Sequence, residues 1–102
     1  MTVVHIVLFK FRPDVDPATR DSTLALLDGL CSIPFVKSVK YGENFSLRAK
    51  GYTHGLIVEV ETKEQVQEYA THPLHVPVVS ALRVVLEDSL AFDFENASLS
   101  SL

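Results

Sequence analysis

The sequence contains one cysteine, no tryptophan and no run of basic residues among its 102 positions. The lone thiol of Cys31 excludes a disulfide within the chain and a cysteine-rich zinc site. Nine scattered Lys and Arg residues stand against thirteen Asp and Glu residues, for a formal net charge of −4. This balance argues against a nucleic acid or an anionic membrane surface as a partner.

No apolar run is long enough to span a bilayer, so we expect no membrane partner. The first residues lack the basic segment and the small-residue cleavage site of a secretory signal peptide. Together with the single cysteine, these features predict a cytoplasmic protein.

Apolar side chains are abundant: hydrophobic residues make up 47% of the chain, and the mean hydropathy is +0.20. A chain of this length forms one domain with a modest core. The surplus of apolar residues indicates that some of them face a partner subunit. We expect the domain to cover residues 1–94 and the serine-rich residues 95–102 to form a flexible C-terminal tail.

Hydrophobic periodicity and turn residues divide the chain into elements in the order β-α-β-β-α-β. The predicted elements are strand 3–11, helix 17–32, strand 35–41, strand 52–61, a helix from 62 to 87 that is broken near Pro73, and strand 89–94. This order is that of the ferredoxin-like βαββαβ plait, an α+β fold. Two helices then cover one face of a four-stranded antiparallel sheet.

The first predicted strand is apolar on both faces, although helices cover only one of them. The uncovered face carries Val4, Ile6, Leu8 and Ile57. An exposed apolar patch of this size marks an interface. Pairing of two sheets across a two-fold axis is the simplest way to cover it, so the pattern predicts a homodimer.

The segment Glu68–Val76 places one phenol and two imidazoles around a proline. Pro73 lacks an amide donor and clashes with the preceding turn, so the helix must end or kink near His72. Tyr69 and His75 are six residues apart and would lie on different faces of an unbroken helix. The break at Pro73 is what allows both side chains to point into one pocket.

Each of these side chains has a chemical and a structural interpretation. His75 is a general base kept neutral at a helix start, a partner for backbone groups freed by the break, or a metal ligand. Tyr69 is a donor to an oxyanion or a core tyrosine bonded to backbone. His72 is expected to cap the chain locally. His5 is either a buried histidine with a satisfied hydrogen bond or a residue that orients a substrate.

Two further groups are expected to be structural. Cys31 falls on the apolar stripe of the first predicted helix and should belong to the core. His54 should lie nearer Lys10 than His5, which argues against a metal pair of His5 with His54. No metal site is predicted, because the four histidines lack zinc-type spacing.

Two glutamates of the third predicted strand, Glu59 and Glu61, point to the face that would meet the partner subunit. They should lie at its rim or pair with Lys37 or Lys40.

Three stretches together resemble the stress-responsive dimeric α/β-barrel (Dabb) family. They are His5–Phe11, Gly51–His54, and Tyr69 with the following His72-Pro73-Leu74-His75. The resemblance covers residues 1 to about 94. It implies a homodimer whose two sheets close an α+β barrel, no cofactor, and in each subunit a separate pocket between sheet and helices.

In polyketide cyclases of this family, a tyrosine and the second histidine of the His-Pro-x-His element carry an intramolecular aldol condensation of a linear polyketide thioester. The resemblance assigns these roles to Tyr69 and His75. The substrate-binding positions that it implies are His5, Val7, Phe9, Leu26, Leu56 and Leu86. Ser22 and Thr23 stand where those cyclases have aromatic residues, which implies a substrate of different shape.

The leading hypothesis is therefore a cofactor-free dimeric enzyme that cyclises a small hydrophobic, polyketide-like substrate. The alternative is a non-catalytic, stress-responsive dimeric barrel protein that binds a small hydrophobic ligand or serves as a stable assembly. A filled core, or a Tyr69 hydroxyl bonded to backbone, would favour that alternative. A third hypothesis, cofactor-independent oxygenation, is weakened by the absence of tryptophan.

Overall fold

Residues 2–96, which the computed structural model of the chain describes, form a four-stranded antiparallel sheet with helices on one face. The elements are β1 (Val3–Phe11), α1 (Pro17–Ala25), a 3₁₀ helix (Leu26–Ser32), β2 (Ser38–Glu43), β3 (His54–Val60), α2 (Lys63–Thr71), α3 (Val76–Val85) and β4 (Leu86–Glu95). The strand order is β2-β3-β1-β4. This topology confirms the predicted ferredoxin-like α+β plait.

Strand β1 lies between β3 and β4, and its register with them determines which residues are neighbours across the sheet. His5 stands opposite Asp93 of β4, whereas Phe9 stands opposite Ser89 of β4 and His54 of β3. Since alternate residues of a strand share a face, these side chains all point toward the helices. Two ends of the helix-covered face are thereby defined, one at His5 and one at Phe9.

The first helical segment is not the continuous α-helix that the sequence predicts, because it changes to a 3₁₀ helix at Leu26. A 3₁₀ helix has three residues per turn. Leu27, Leu30 and Ile33 therefore face the core together, each at most 1% exposed. The same winding turns Leu26 and Cys31 outward. The prediction that Cys31 belongs to the core is wrong for this reason.

Helix α2 begins at the predicted capping box. The Gln65 amide donates to the Thr62 hydroxyl, and the Gln65 side chain accepts from the Thr62 amide. The helix ends before Pro73, because His72 leaves helical backbone at φ −64° and ψ 139°. Helix α3 starts after His75. The predicted break and restart of the second helix are both present.

The ends of β2, β3 and β4 differ from the prediction by one to three residues. β2 begins at Ser38, later than predicted, and β4 begins at Leu86, directly after α3. β4 then continues to Glu95, and the Asn96 amide donates to a carbonyl just before β1 at 2.7 Å. The folded region thus extends past residue 94. The rest of the predicted tail, residues 97–102, lies outside the described residues.

The sheet face opposite the helices is solvent-exposed in the single chain and is strongly apolar. Its exposed large side chains are Leu8, Ile57, Leu90, Phe92 and Phe94. At the edge of this face Glu61 pairs with Lys37 at 3.0 Å, as predicted, and Glu59 accepts from the Ser38 hydroxyl. Within residues 2–96, no helix is long and apolar enough to cross a membrane.

Candidate active site

A cavity of about 230 Å³ lies between the helix-covered face of the sheet and the helices. Seven of the eight predicted site residues line it: His5, Val7, Phe9, Leu56, Tyr69, His75 and Leu86. The eighth, Leu26, does not line it, since its side chain is 45% exposed to solvent. Leu27 and Leu30 occupy the wall that was assigned to Leu26, as the 3₁₀ winding requires.

Tyr69 is the buried polar group of this cavity. The residue is only 2% exposed, and its hydroxyl has no hydrogen-bond partner among the groups that the structure describes. A buried hydroxyl without a partner costs about 1–3 kcal/mol. Burial also raises the pKa of the Tyr69 phenol, so the hydroxyl keeps its proton near neutrality. The cavity thus contains a hydrogen-bond donor that a ligand can satisfy.

His75 lies against Tyr69, with the ring centroids 4.2 Å apart. Its Nδ1 is 3.1 Å from the Ala70 carbonyl oxygen, which can only accept, so Nδ1 carries the proton. The neutral ring then has its lone pair on Nε2. Burial lowers the pKa of the His75 imidazole, which favours this neutral form. His75 therefore has the electronic state of a base.

His5 contacts the same phenol from the sheet side, with ring centroids 5.5 Å apart and an interplanar angle of 62°. Its Nδ1 hydrogen-bonds the Asp93 carboxylate, which fixes the orientation of the imidazole. Asp93 was not among the predicted site residues. Part of the signal was available, because Asp93 is an acidic residue between Phe92 and Phe94, but its place opposite His5 depends on the register of β1 with β4.

The turn between α2 and α3 brings Tyr69 and His75 together. His72 accepts the Leu74 amide on its Nδ1 at 3.1 Å, which is the local capping role predicted for it. Its carbonyl also accepts the His75 amide at 2.9 Å. The extended backbone at His72 ends the helix before Pro73 and changes the direction in which the following side chains point. Tyr69 and His75, six residues apart, are thereby brought together.

His54 occupies a different environment, at the Phe9 end of the sheet. The ring stacks on Phe9 at 5.6 Å and meets Phe11 edge-on at 5.2 Å. Its Nδ1 lies 2.9 Å from the Thr53 hydroxyl, and burial lowers its pKa. Across residues 2–96, no cluster of three or more His, Cys, Asp or Glu side chains could hold a metal ion.

The far end of the cavity carries polar groups that the sequence reasoning also missed. Arg83 and Ser89 line it, next to the apolar Val79, Leu82 and Leu86. His75, Val79 and Arg83 are spaced four residues apart along the helix, so they share one face. The sequence of α3 therefore indicated that Arg83 lies on the same helix face as His75 and Val79.

Comparisons with known proteins agree with this architecture. The family model of the stress-responsive A/B barrel domain matches residues 3–96. The chain is 32% identical over 97 residues to olivetolic acid cyclase of Cannabis sativa, covering 92% of this chain and 96% of that protein. It is 32% identical over 101 residues to a stress-response A/B barrel domain-containing protein of Arabidopsis thaliana, covering 95% and 88%.

Among solved structures, the fold is similar to that of a dimeric ferredoxin-like protein of unknown function from Thermobifida fusca. The TM-score is 0.81 and the identity 25%, over 92% of this chain and 90% of that chain. The family match spans almost all of the described residues and is joined by relatives above 30% identity along nearly their whole length. The chain therefore belongs to the stress-responsive A/B barrel (Dabb) domain family.

Proposed function

We propose that this protein is an enzyme that catalyses an intramolecular aldol-type condensation of a linear poly-β-keto molecule without a cofactor. The observation that carries the proposal is the buried Tyr69 hydroxyl, which has no partner within residues 2–96 and belongs to a ring whose centroid is 4.2 Å from that of the His75 imidazole. A donor and a base in one apolar cavity are the two groups that such a reaction needs. The similarity to a cyclase supports the same chemistry.

The reaction begins with His75 as general base. Its Nε2 removes a proton from a carbon flanked by two carbonyl groups, and the resulting enolate carbon attacks a ketone carbon of the same molecule. The new carbon–carbon bond closes the ring, and the carbonyl electron pair moves to oxygen. The protonated imidazole then returns its proton to that oxygen. Loss of water completes the condensation.

Tyr69 stabilises the charge that develops on the attacked carbonyl. Its phenol donates a hydrogen bond to the oxyanion, and its raised pKa keeps it from being deprotonated by the neighbouring imidazole. His5, held by Asp93, orients a second carbonyl or hydroxyl of the substrate. Val7, Phe9, Leu56 and Leu86 enclose its apolar part.

The active form in this proposal is a homodimer. The exposed apolar side chains of the open sheet face form a patch that a second copy can cover. The related structure from Thermobifida fusca is described as dimeric. Two sheets paired in this way close the α+β barrel, while each subunit keeps its own cavity. A cytoplasmic location completes the proposal, since the single cysteine is exposed and a reducing compartment suits it.

The test is turnover of a synthetic linear poly-β-keto thioester, with cyclised and spontaneous products separated by chromatography and mass spectrometry. We expect His75→Ala and Tyr69→Phe each to reduce cyclised product to the level without protein. Size-exclusion chromatography must show that both variants remain dimeric. Full activity of both variants would refute the assignment of base and donor.

Non-catalytic ligand binding is the second candidate function, and one observation favours it: between its polar ends the cavity wall is apolar, formed by side chains such as Val7, Phe9 and Leu82. The two features that would favour a mere assembly, a filled core and a Tyr69 hydroxyl bonded to backbone, do not occur within residues 2–96. Binding of the thioester without any turnover by the wild-type dimer would select this candidate over the enzyme.

A further inference from the structure

The cavity has a second polar end, and its distance from Tyr69 follows from the elements. Arg83 lies eight residues after His75 along α3, which corresponds to about 12 Å along the helix axis. Ser89 lies four residues before Asp93 along β4, which corresponds to about 13 Å. Both separations run in the same direction, from the His5 end of the sheet to the Phe9 end. Arg83 and Ser89 thus border the cavity opposite the proposed reaction centre.

The guanidinium of Arg83 is available to a ligand. Within residues 2–96, no carboxylate lies within 4.0 Å of it, whereas Arg12 and Arg20 each have an acidic partner. Arg83 stands in the last turn of α3, where a cation also interacts favourably with the helix dipole. That interaction does not require the side chain to border a cavity, and it leaves the five N–H donors unused.

The wall between the two polar ends is hydrocarbon. On the helix side it is formed by Val79 and Leu82 of α3 and by Leu86 at the start of β4. On the sheet side it is formed by Val7 and Phe9 of β1. A molecule that fills the cavity therefore needs an apolar middle. It also needs an acceptor for the Tyr69 hydroxyl at one end and an acceptor for the guanidinium at the other.

We infer that the natural ligand of this cavity is a small carboxylic acid, with its carboxylate bound by the Arg83 guanidinium and its apolar chain directed toward Tyr69. A carboxylate matches the planar fork of arginine through two parallel hydrogen bonds. The Ser89 hydroxyl can donate a third. The inference names the substrate class for the proposed function and rests on it in using the same cavity.

Three probes that share an eight-carbon chain test the inference: octanoate, the neutral octanol, and octyl phosphate. Binding to the full-length dimer is measured by calorimetric titration at low ionic strength. We expect octanoate to bind at least about tenfold more tightly than octanol, as charge-assisted hydrogen bonds require. Added salt should reduce that ratio, because the guanidinium is at the cavity mouth and exposed.

Two variants separate Arg83 from charge in general. Arg83→Met keeps a long apolar stem without the cation, so octanoate and octanol should then bind within about twofold of each other. Arg48→Met is the matched control, since Arg48 is exposed on the β2–β3 loop, and it should keep the wild-type ratio. Arg83→Lys keeps the charge without the planar fork and should give an intermediate ratio.

The outcomes are decisive in both directions. Equal binding of octanoate and octanol to the wild-type dimer would overturn the inference, as would a wild-type ratio that survives in Arg83→Met. Tighter binding of octyl phosphate than of octanoate would replace the carboxylate by a phosphate-bearing carrier and overturn it as well. A carboxylate preference that depends on Arg83, in a dimer that cyclises neither the linear poly-β-keto thioester nor the corresponding free acid, would sustain the inference and refute the proposed reaction.

Discussion

Two histidines, His75 and His54, show how the same residue type differs between two regions of one small domain. Burial lowers the pKa of both imidazoles, and each has its Nδ1 engaged by a neighbouring oxygen. The ring of His54 packs against Phe9 and Phe11. The ring of His75 packs against a phenol whose hydroxyl has no partner among the described residues.

A lowered pKa alone therefore does not identify a catalytic residue. Burial favours the neutral form of both imidazoles, but the chemistry depends on what else lies within reach. His54 lies between the rings of Phe9 and Phe11, and the hydroxyl beside it, that of Thr53, is already engaged with its Nδ1. His75 shares a cavity with a phenol whose hydroxyl has no partner among the described residues.

Exchanging the two histidines for alanine should give opposite results. His75→Ala should lower the cyclisation rate by about 10²–10⁴-fold, because a general base contributes about that much. His54→Ala should leave the rate per folded dimer within about threefold but lower the unfolding free energy by roughly 2–4 kcal/mol through the cavity it creates. Turnover assays and urea denaturation measure the two effects. A rate loss in His54→Ala as large as in His75→Ala would abolish the contrast.

Removing single hydroxyl groups should change stability in opposite directions at two tyrosines. Tyr69→Phe should raise the unfolding free energy, by up to about 1–3 kcal/mol, because it removes a buried donor without a partner. Tyr41→Phe should lower it by a smaller amount, because the Tyr41 hydroxyl donates to Asp28 at 3.0 Å on the protein surface. Urea denaturation at fixed protein concentration measures both. Destabilisation by Tyr69→Phe would show that the phenol has a partner in solution.

The pH dependence should separate the two histidines again. Since the pKa of His75 is lowered from 6.5, the rate should be independent of pH above about 6.5 and fall only in more acidic solution. In the unfolded chain His54 and His75 take up protons near pH 6.5, before they do so in the folded protein, so their contribution to stability should decrease as the pH falls through that region. His54→Gln should reduce this loss of stability and leave the pH–rate profile unchanged. A shifted rate profile in His54→Gln would contradict the assignment of the base to His75.

The smallest effect is expected at His72, which serves the turn. His72→Ala removes the acceptor of the Leu74 amide and should cost about 1 kcal/mol, as the loss of a helix cap does. Asparagine at the same position offers a short side-chain acceptor and should restore part of that loss. Thermal denaturation of the three proteins measures the series. A rate loss of more than tenfold in His72→Ala would give His72 a chemical role.

Much of the fold could be predicted from the sequence because local signals and the global topology agree. The Thr62 capping box, the break at Pro73 and the run of β-branched and aromatic residues in β1 each have a short-range physical cause. The 3₁₀ helix could not be predicted in the same way. Leucines at 26, 27 and 30 fit both a period of 3.6 and a period of 3, and only packing against the sheet decides between them.

The part of the site that lies in one segment of the sequence could be predicted. The part that two strands contribute together was harder to predict. Tyr69 and His75 stand close together in the sequence around a proline. Asp93 is distant from His5 in the sequence, and their contact depends on the register of β1 with β4. Arg83 lies beyond the short segment that held the recognisable residues, although it shares the helical stripe of His75. Long-range register is the information that single-segment reasoning lacks.

The turn at Pro73 has a consequence for how this site tolerates change in length. Each residue added to or removed from an α-helix rotates everything that follows by about 100°. A one-residue insertion within α2 directly after Tyr69 would rotate the turn and His75 by this angle and carry the imidazole out of the cavity. The geometry of the site is therefore encoded in the number of residues between Tyr69 and His75 as much as in the two side chains.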